Sequence, residues 1–261
     1  YAQPVQQPVY YAPVQPPKWA DPARLEQKEL RRAASRLSFA TMTSLPIQVL
    51  WTTLATLILT VCGVNFMGPN TIGGFPPTAY YLISSIASFL SIVLPFSFFL
   101  FFGKRKLSDT VLVEKNGVLN SVLLVFAGLA VSVLMNIPAN LISQLLEGAG
   151  LNGDANTADL LALTPVQALT MFVSVVLVAP VTEEFAFRSV TTAVMRRWGD
   201  WPAVIFSALI FGMAHYSIQS LPVVLTAGFV MALLYVRTRN IWVNIFVHML
   251  NNLLATLPIA L

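Results

Sequence analysis

Apolar positions in this chain fall in long, nearly unbroken runs, separated by short stretches that hold almost all of its charge. Seven runs stand out: about Phe39–Val64, Ala79–Phe102, Val118–Ile142, Pro165–Val194, Trp201–Tyr216, Leu221–Val236 and Ile241–Leu261. A helix needs roughly 20 apolar residues to cross a bilayer, so the runs predict an all-α, polytopic membrane helical bundle of about seven transmembrane helices. The fifth and sixth runs are short. The fourth is too long for one untilted span, and Pro180 inside it predicts a kink, because proline removes a backbone donor and clashes with the preceding turn.

Charge fixes the topology. Lys18, Arg24, Lys28, Arg31, Arg32 and Arg36 precede the first run, and Lys104, Arg105, Lys106 and Lys115 follow the second. Arg196 and Arg197 follow the fourth, and Arg237 and Arg239 the sixth. The intervening loops are uncharged or hold only Glu147, Asp154 and Asp159. Every Lys and Arg except Arg188 thus lies on one side of a seven-span path, and an eighth span would break that alternation. That side is expected to be cytoplasmic, which predicts a multi-pass protein of the cell membrane with a cytoplasmic N-terminus. Composition agrees: 56% of the 261 residues are hydrophobic and 10% charged, against roughly 25% charged in soluble domains. An isoelectric point near 9.4 invites nucleic acid as a partner, but the basic residues sit where membrane anchors belong. The expected partners are membrane lipids, with no nucleic acid. A single cysteine, Cys62, excludes an intramolecular disulfide and a cysteine metal cluster.

Residues 1–20 form a Pro/Gln/Val/Tyr tract that cannot pack a core and reads as a tether. Residues 21–36 read as a basic helix along the inner membrane face. No cleavable signal peptide or internal repeat is visible. The five phenylalanines of Phe96–Phe102 read as an interfacial or lipid-facing stretch.

Three patterns break the apolar background: Glu183-Glu184-x-x-x-Arg188, Phe211-x-x-x-His215 and His248-x-x-x-Asn252, which include both histidines of the chain. Ionisable residues inside membrane spans are costly and mark functional sites. Counted inward from the basic edges at about 1.5 Å per residue, Glu183, His215 and Asn252 lie at similar depths of roughly 18–21 Å. Independent packing histidines have no reason to agree in depth. Glu184 and Arg188, at i and i+4 with the acid first, suit a helical ion pair. Glu183 points about 100° away from Glu184 and is free to face another cavity. A carboxylate and an imidazole can polarise one water as general base, and burial strengthens a carboxylate in that role. A second histidine with a carboxamide suits a developing oxyanion. The set therefore predicts water-driven hydrolysis of a carbonyl within the membrane. No serine or cysteine in the group has a partner base.

The segments Ala179–Arg188, Ser207–His215 and Phe246–Asn252 together resemble the CPBP family, the CAAX-protease and bacteriocin-processing membrane endopeptidases, also called Abi. The resemblance covers about residues 165–261, and Ser189 departs from the glycine the family commonly carries after the arginine. It implies that Glu183 and His215 activate the water, that His248 and Asn252 form the oxyanion site, and that Glu184 and Arg188 support them. It divides the chain into a tail and juxtamembrane helix (1–36), N-terminal transmembrane helices (37–164) and a catalytic core (165–261). The implied substrate is a peptide or lipid-linked protein. Glu183, His215 and His248 could hold zinc in principle. However, the HExxH spacing is absent, and Asn252 beside His248 fits an oxyanion pair better than a zinc ligand, which leans on a carboxylate or carbonyl. The favoured mechanism has no cofactor. Two other classes use the same residues: a non-catalytic immunity or partner-binding protein, and a carrier with a Glu/His proton relay. No repeated pair of broken helices supports the carrier.

Overall fold

In a computed structural model, residues 22–64, 71–72, 74–104, 106–151, 163–215 and 217–260 are described. The Pro/Gln-rich tract and the acidic positions 154 and 159 lie outside them. Among the described residues the chain is helical, with only two isolated β-bridges, Ile72 to Phe75 and Val113 to Asn240. Seven helices carry the fold: α1 (Pro22–Val61), α2 (Pro77–Phe102), α3 (Val118–Gly148), α4 (Pro165–Trp198), α5 (Asp200–Met213), α6 (Leu221–Thr238) and α7 (Ile241–Ala260). Five of them, α1 to α4 and α6, are long and apolar enough to cross a membrane, while α5 and α7 are shorter apolar helices. The bundle matches the all-α membrane architecture that the apolar runs predict.

Two details differ from expectation. The basic segment before the first span is not a separate surface helix: α1 runs unbroken for 40 residues. Its basic end is tied into the core, where Ala33, Leu37 and Ala40 pack with Phe96 and Phe99 of α2 and Phe187, Val190 and Val194 of α4. The phenylalanine run is also split between two environments. Phe96 and Phe99 are buried core residues, while Phe98, Phe101 and Phe102 face outward, as helical periodicity requires of residues on opposite faces.

The long fourth helix is irregular on both sides of Pro180. Residues Phe172–Val178 and Glu184–Thr191 are wound as π-helix, with a short α-helical stretch, Ala179–Glu183, between them. What the structure shows around Pro180 is this pair of π-wound segments, a feature frequent at functional sites. At the end of the second segment and just after it, hydroxyls reach back to carbonyls five residues earlier, Thr191 to Ala186 at 3.0 Å and Thr192 to Phe187 at 3.2 Å. Gly199, at φ 115°, provides a turn only glycine adopts freely, and it joins α4 directly to α5.

The basic loops after α2 and α6 meet at one end of the bundle. Arg239 pairs with Glu114 at 2.6 Å, Asn240 donates to the Glu114 carbonyl, and Tyr235 donates to the Thr110 carbonyl. Two loops that the charge pattern puts on one side of the membrane are thus joined.

Candidate active site

Glu183, His215, His248 and Asn252 line a single cavity of about 310 Å³. They arrive from three elements. Glu183 ends the α-helical stretch after Pro180, and Glu184 opens the π-wound stretch, so consecutive carboxylates point to different surroundings. His215 lies in the turn just after the short α5. His248 and Asn252 are one turn apart on α7. Two larger grooves, of about 680 and 700 Å³, run along the flanks of α1/α2 and α3/α7 and are mostly apolar. The smaller cavity is where the ionisable groups meet.

Glu184 is turned away from this cavity and is fully buried, as is Arg188. Its Oε2 lies 3.3 Å from Arg188 Nε, so the ion pair suggested by the i, i+4 spacing is present. The guanidinium carbon lies 4.2 Å from the centre of the Phe211 ring, a cation–π contact that offsets part of the cost of burying the charge. The Phe211 ring also meets His215 and His248 edge-on, at 4.8 and 5.8 Å between centroids. This one ring thus contacts the buried arginine and both histidines.

Glu184 does more than balance Arg188. Its Oε1 lies 2.9 Å from His248 Nδ1. A carboxylate accepts, so Nδ1 carries the proton and Nε2 is left facing Glu183, whose Oε2 is 3.8 Å away. His248 does lean on a carboxylate, so the contrast between an oxyanion histidine and a zinc-type histidine that its neighbour Asn252 suggested does not hold. At His215 the same logic applies. Nδ1 lies 2.8 Å from the Phe211 carbonyl, which can only accept, leaving the Nε2 lone pair of the neutral ring to take a proton. Asn252 donates to the Val175 carbonyl at 2.9 Å, and its second amide hydrogen is available to the cavity.

One site residue carries no motif. Asn244 is fully buried and donates to Glu184 Oε2 at 3.3 Å and to the Met231 carbonyl at 2.6 Å. It stands one turn before His248, completing a stripe of Asn244, His248 and Asn252 along α7. That spacing of four was visible in the sequence, but an asparagine in an apolar run carries no chemical signature until its carboxylate partner is known.

The fold and site define a polytopic membrane bundle with a buried carboxylate–histidine centre. The family model for type II CAAX prenyl endopeptidase Rce1-like proteins matches residues 165–254, the segment that builds this site. Over that segment the chain is similar to this family of membrane endopeptidases. It is also 31% identical over 140 residues, 53% of its length, to the Bacillus subtilis (strain 168) protein named "Putative membrane peptidase YdiL". The match spans 57% of that relative, a little over half its length. No solved structure matches.

Proposed function

We propose that the chain is an intramembrane endopeptidase that hydrolyses a peptide bond of a peptide or lipid-linked protein. One observation carries this reading: Glu183, His215, His248 and Asn252 line one cavity. Glu183 and the His215 Nε2 lone pair hold and deprotonate a water, which attacks the scissile carbonyl; the proton passes to the departing amine. The oxyanion is met by Asn252 and by His248 Nε2. In that role the His248 ring carries protons on both nitrogens, with carboxylates on either side of it. Glu184, Arg188 and Asn244 hold His248 in place. Residues 165–261 act as the catalytic core on a frame of N-terminal helices, and the basic loops with the N-terminus face the cytoplasm.

Among the described residues, no three His, Cys, Asp or Glu side chains converge as a metal-ligand set, and no step here is routed through a metal. A zinc reading draws on one observation, the carboxylate behind His248, an arrangement common around metal-bound histidines. Chelation separates the two readings. Purified protein is expected to retain activity after prolonged dialysis against chelator, with well under one zinc per chain by elemental analysis. Stoichiometric zinc, with activity lost on chelation and restored by zinc, would replace the metal-free mechanism.

A further inference from the structure

The cavity has a second wall, built by α2, a helix outside the family-matched segment. Tyr80, Ser84 and Ser88 line it, spaced four residues apart and therefore on one helix face. Serines in apolar helices ordinarily return their hydroxyl to the carbonyl four residues back. On this same helix Ser85 does so, to Tyr81, and Ser91 does so, to Ala87. Ser85 is further tied to Ser174 at 2.7 Å. The hydroxyls of Tyr80, Ser84 and Ser88, by contrast, make no hydrogen bond to another described residue. Thr256, across the cavity, bonds back into its own helix. Tyr81, which also lines the cavity, likewise makes no side-chain hydrogen bond to another described residue, so among the described lining residues the uncommitted hydroxyls all belong to α2, and Tyr80, Ser84 and Ser88 form one stripe of them.

Uncommitted polar groups in an apolar setting are costly unless something pairs with them. A substrate segment inside a membrane has the complementary problem. To be cut it must leave its helix, and its freed backbone N–H and C=O groups then need partners where water is scarce. Resting on the endopeptidase reading, we infer that Tyr80, Ser84 and Ser88 form a binding wall for the extended backbone of the substrate around the scissile bond. A row of hydroxyls can both donate and accept, so it suits the alternating groups of an extended chain whatever its side chains. A cavity of about 310 Å³ with this lining fits a short peptide segment better than a long hydrocarbon tail. In this arrangement α2 supplies backbone recognition, and α4, α5 and α7 supply the chemistry.

The test uses binding rather than turnover. The probe is a fluorescein-labelled decapeptide of alanine and leucine, with a series in which single backbone amides are N-methylated. Its affinity for Glu183→Gln protein in lipid nanodiscs is read by anisotropy. N-methylation at one or two central positions is expected to weaken binding about 3- to 10-fold, the weight of one neutral hydrogen bond. In protein that also carries Tyr80→Phe, Ser84→Ala and Ser88→Ala, the parent peptide binds more weakly and this penalty disappears, as a double-mutant cycle requires of directly coupled groups. An unchanged penalty in that protein, or no binding of the parent peptide to either form, overturns the inference. Cleavage of the parent is measured separately with Glu183 intact. Loss of the penalty without cleavage would sink the endopeptidase reading and leave the backbone wall standing.

Discussion

The two halves of this chain use apolar residues in opposite ways. In α1, large side chains such as Phe39, Leu50 and Val61 point outward, and the helix holds to the rest along a narrow seam in which Ala33, Leu37, Ala40 and Ala55 are buried and Trp51 donates to the Ile83 carbonyl of α2. In α4 the outward-facing positions are few beyond Glu183. Ala186, Val190 and Val194 are fully enclosed, and so are Glu184 and Arg188. An apolar residue facing lipid satisfies a length and hydropathy requirement that many sequences meet. A charge enclosed by protein is tolerated only with particular partners in particular places. Information about function therefore concentrates in the second half, while the first half is specified loosely except where it touches the second.

The sharpest way to break that contrast is to change the cavity itself. Glu183→Ala and His215→Ala are each expected to lower proteolysis by at least the ~10²–10⁴-fold typical of acid–base groups, with normal membrane insertion and detergent extraction. Near-normal cleavage by either variant would remove these residues from the chemistry.

Next in size are the enclosed charges. Arg188→Ala strands Glu184 in the interior, and breaking a buried pair costs roughly 3–5 kcal/mol, read as a lowered melting temperature in detergent. The double change Glu184→Gln with Arg188→Gln should melt above the single Arg188→Ala variant, because no lone charge is left. Glu184→Ala should lose activity beyond its loss of stability, since His248 Nδ1 rests on that carboxylate. If it instead tracked stability alone, Glu184 would belong only to the frame.

A smaller effect is expected at Gly228, where α6 passes close to α5. A methyl group there would come within 2.9 Å of the Phe211 ring and 3.4 Å of the Ala208 backbone. Gly228→Ala should cost about 1–3 kcal/mol by overpacking. It should also reduce turnover, because the ring it displaces touches Arg188 and both histidines. On the lipid-facing side of α1, Leu50→Ala should change stability by no more than about 0.5 kcal/mol, although Leu50 is a larger apolar residue in a longer helix. A large loss there would show that the first half is specified as tightly as the second.

The same contrast explains what could be read from the sequence. The helices were legible because a bilayer imposes length and hydropathy. Of the seven motif residues, Glu183, Glu184, Arg188, His215 and His248 stood out because charge and imidazole are conspicuous against that background, and Phe211 and Asn252 were picked out by standing four residues from a histidine. The two roles of Glu184 were only half visible: spacing within α4 gives the Arg188 pair, but the His248 bond joins α4 to α7 and depends on packing. Asn244 and the hydroxyls of Tyr80, Ser84 and Ser88 escaped notice because neutral polar residues are common in membrane helices, and only the cavity separates them from ordinary ones. The continuity of α1 was obscured by its charges, which imitate a surface helix, although its inner face of Ala33, Leu37 and Ala40 is apolar.

The central claim, that the cavity around Glu183 hydrolyses peptide bonds in membrane proteins, is tested most directly by comparing cells that carry the wild-type chain with cells that carry Glu183→Gln at equal abundance. Peptide fragments released from the membrane fraction are identified by mass spectrometry, with new termini labelled. The account predicts a defined set of new termini, within or beside apolar segments, present with the wild type and absent with Glu183→Gln. Identical fragment sets from the two would contradict it.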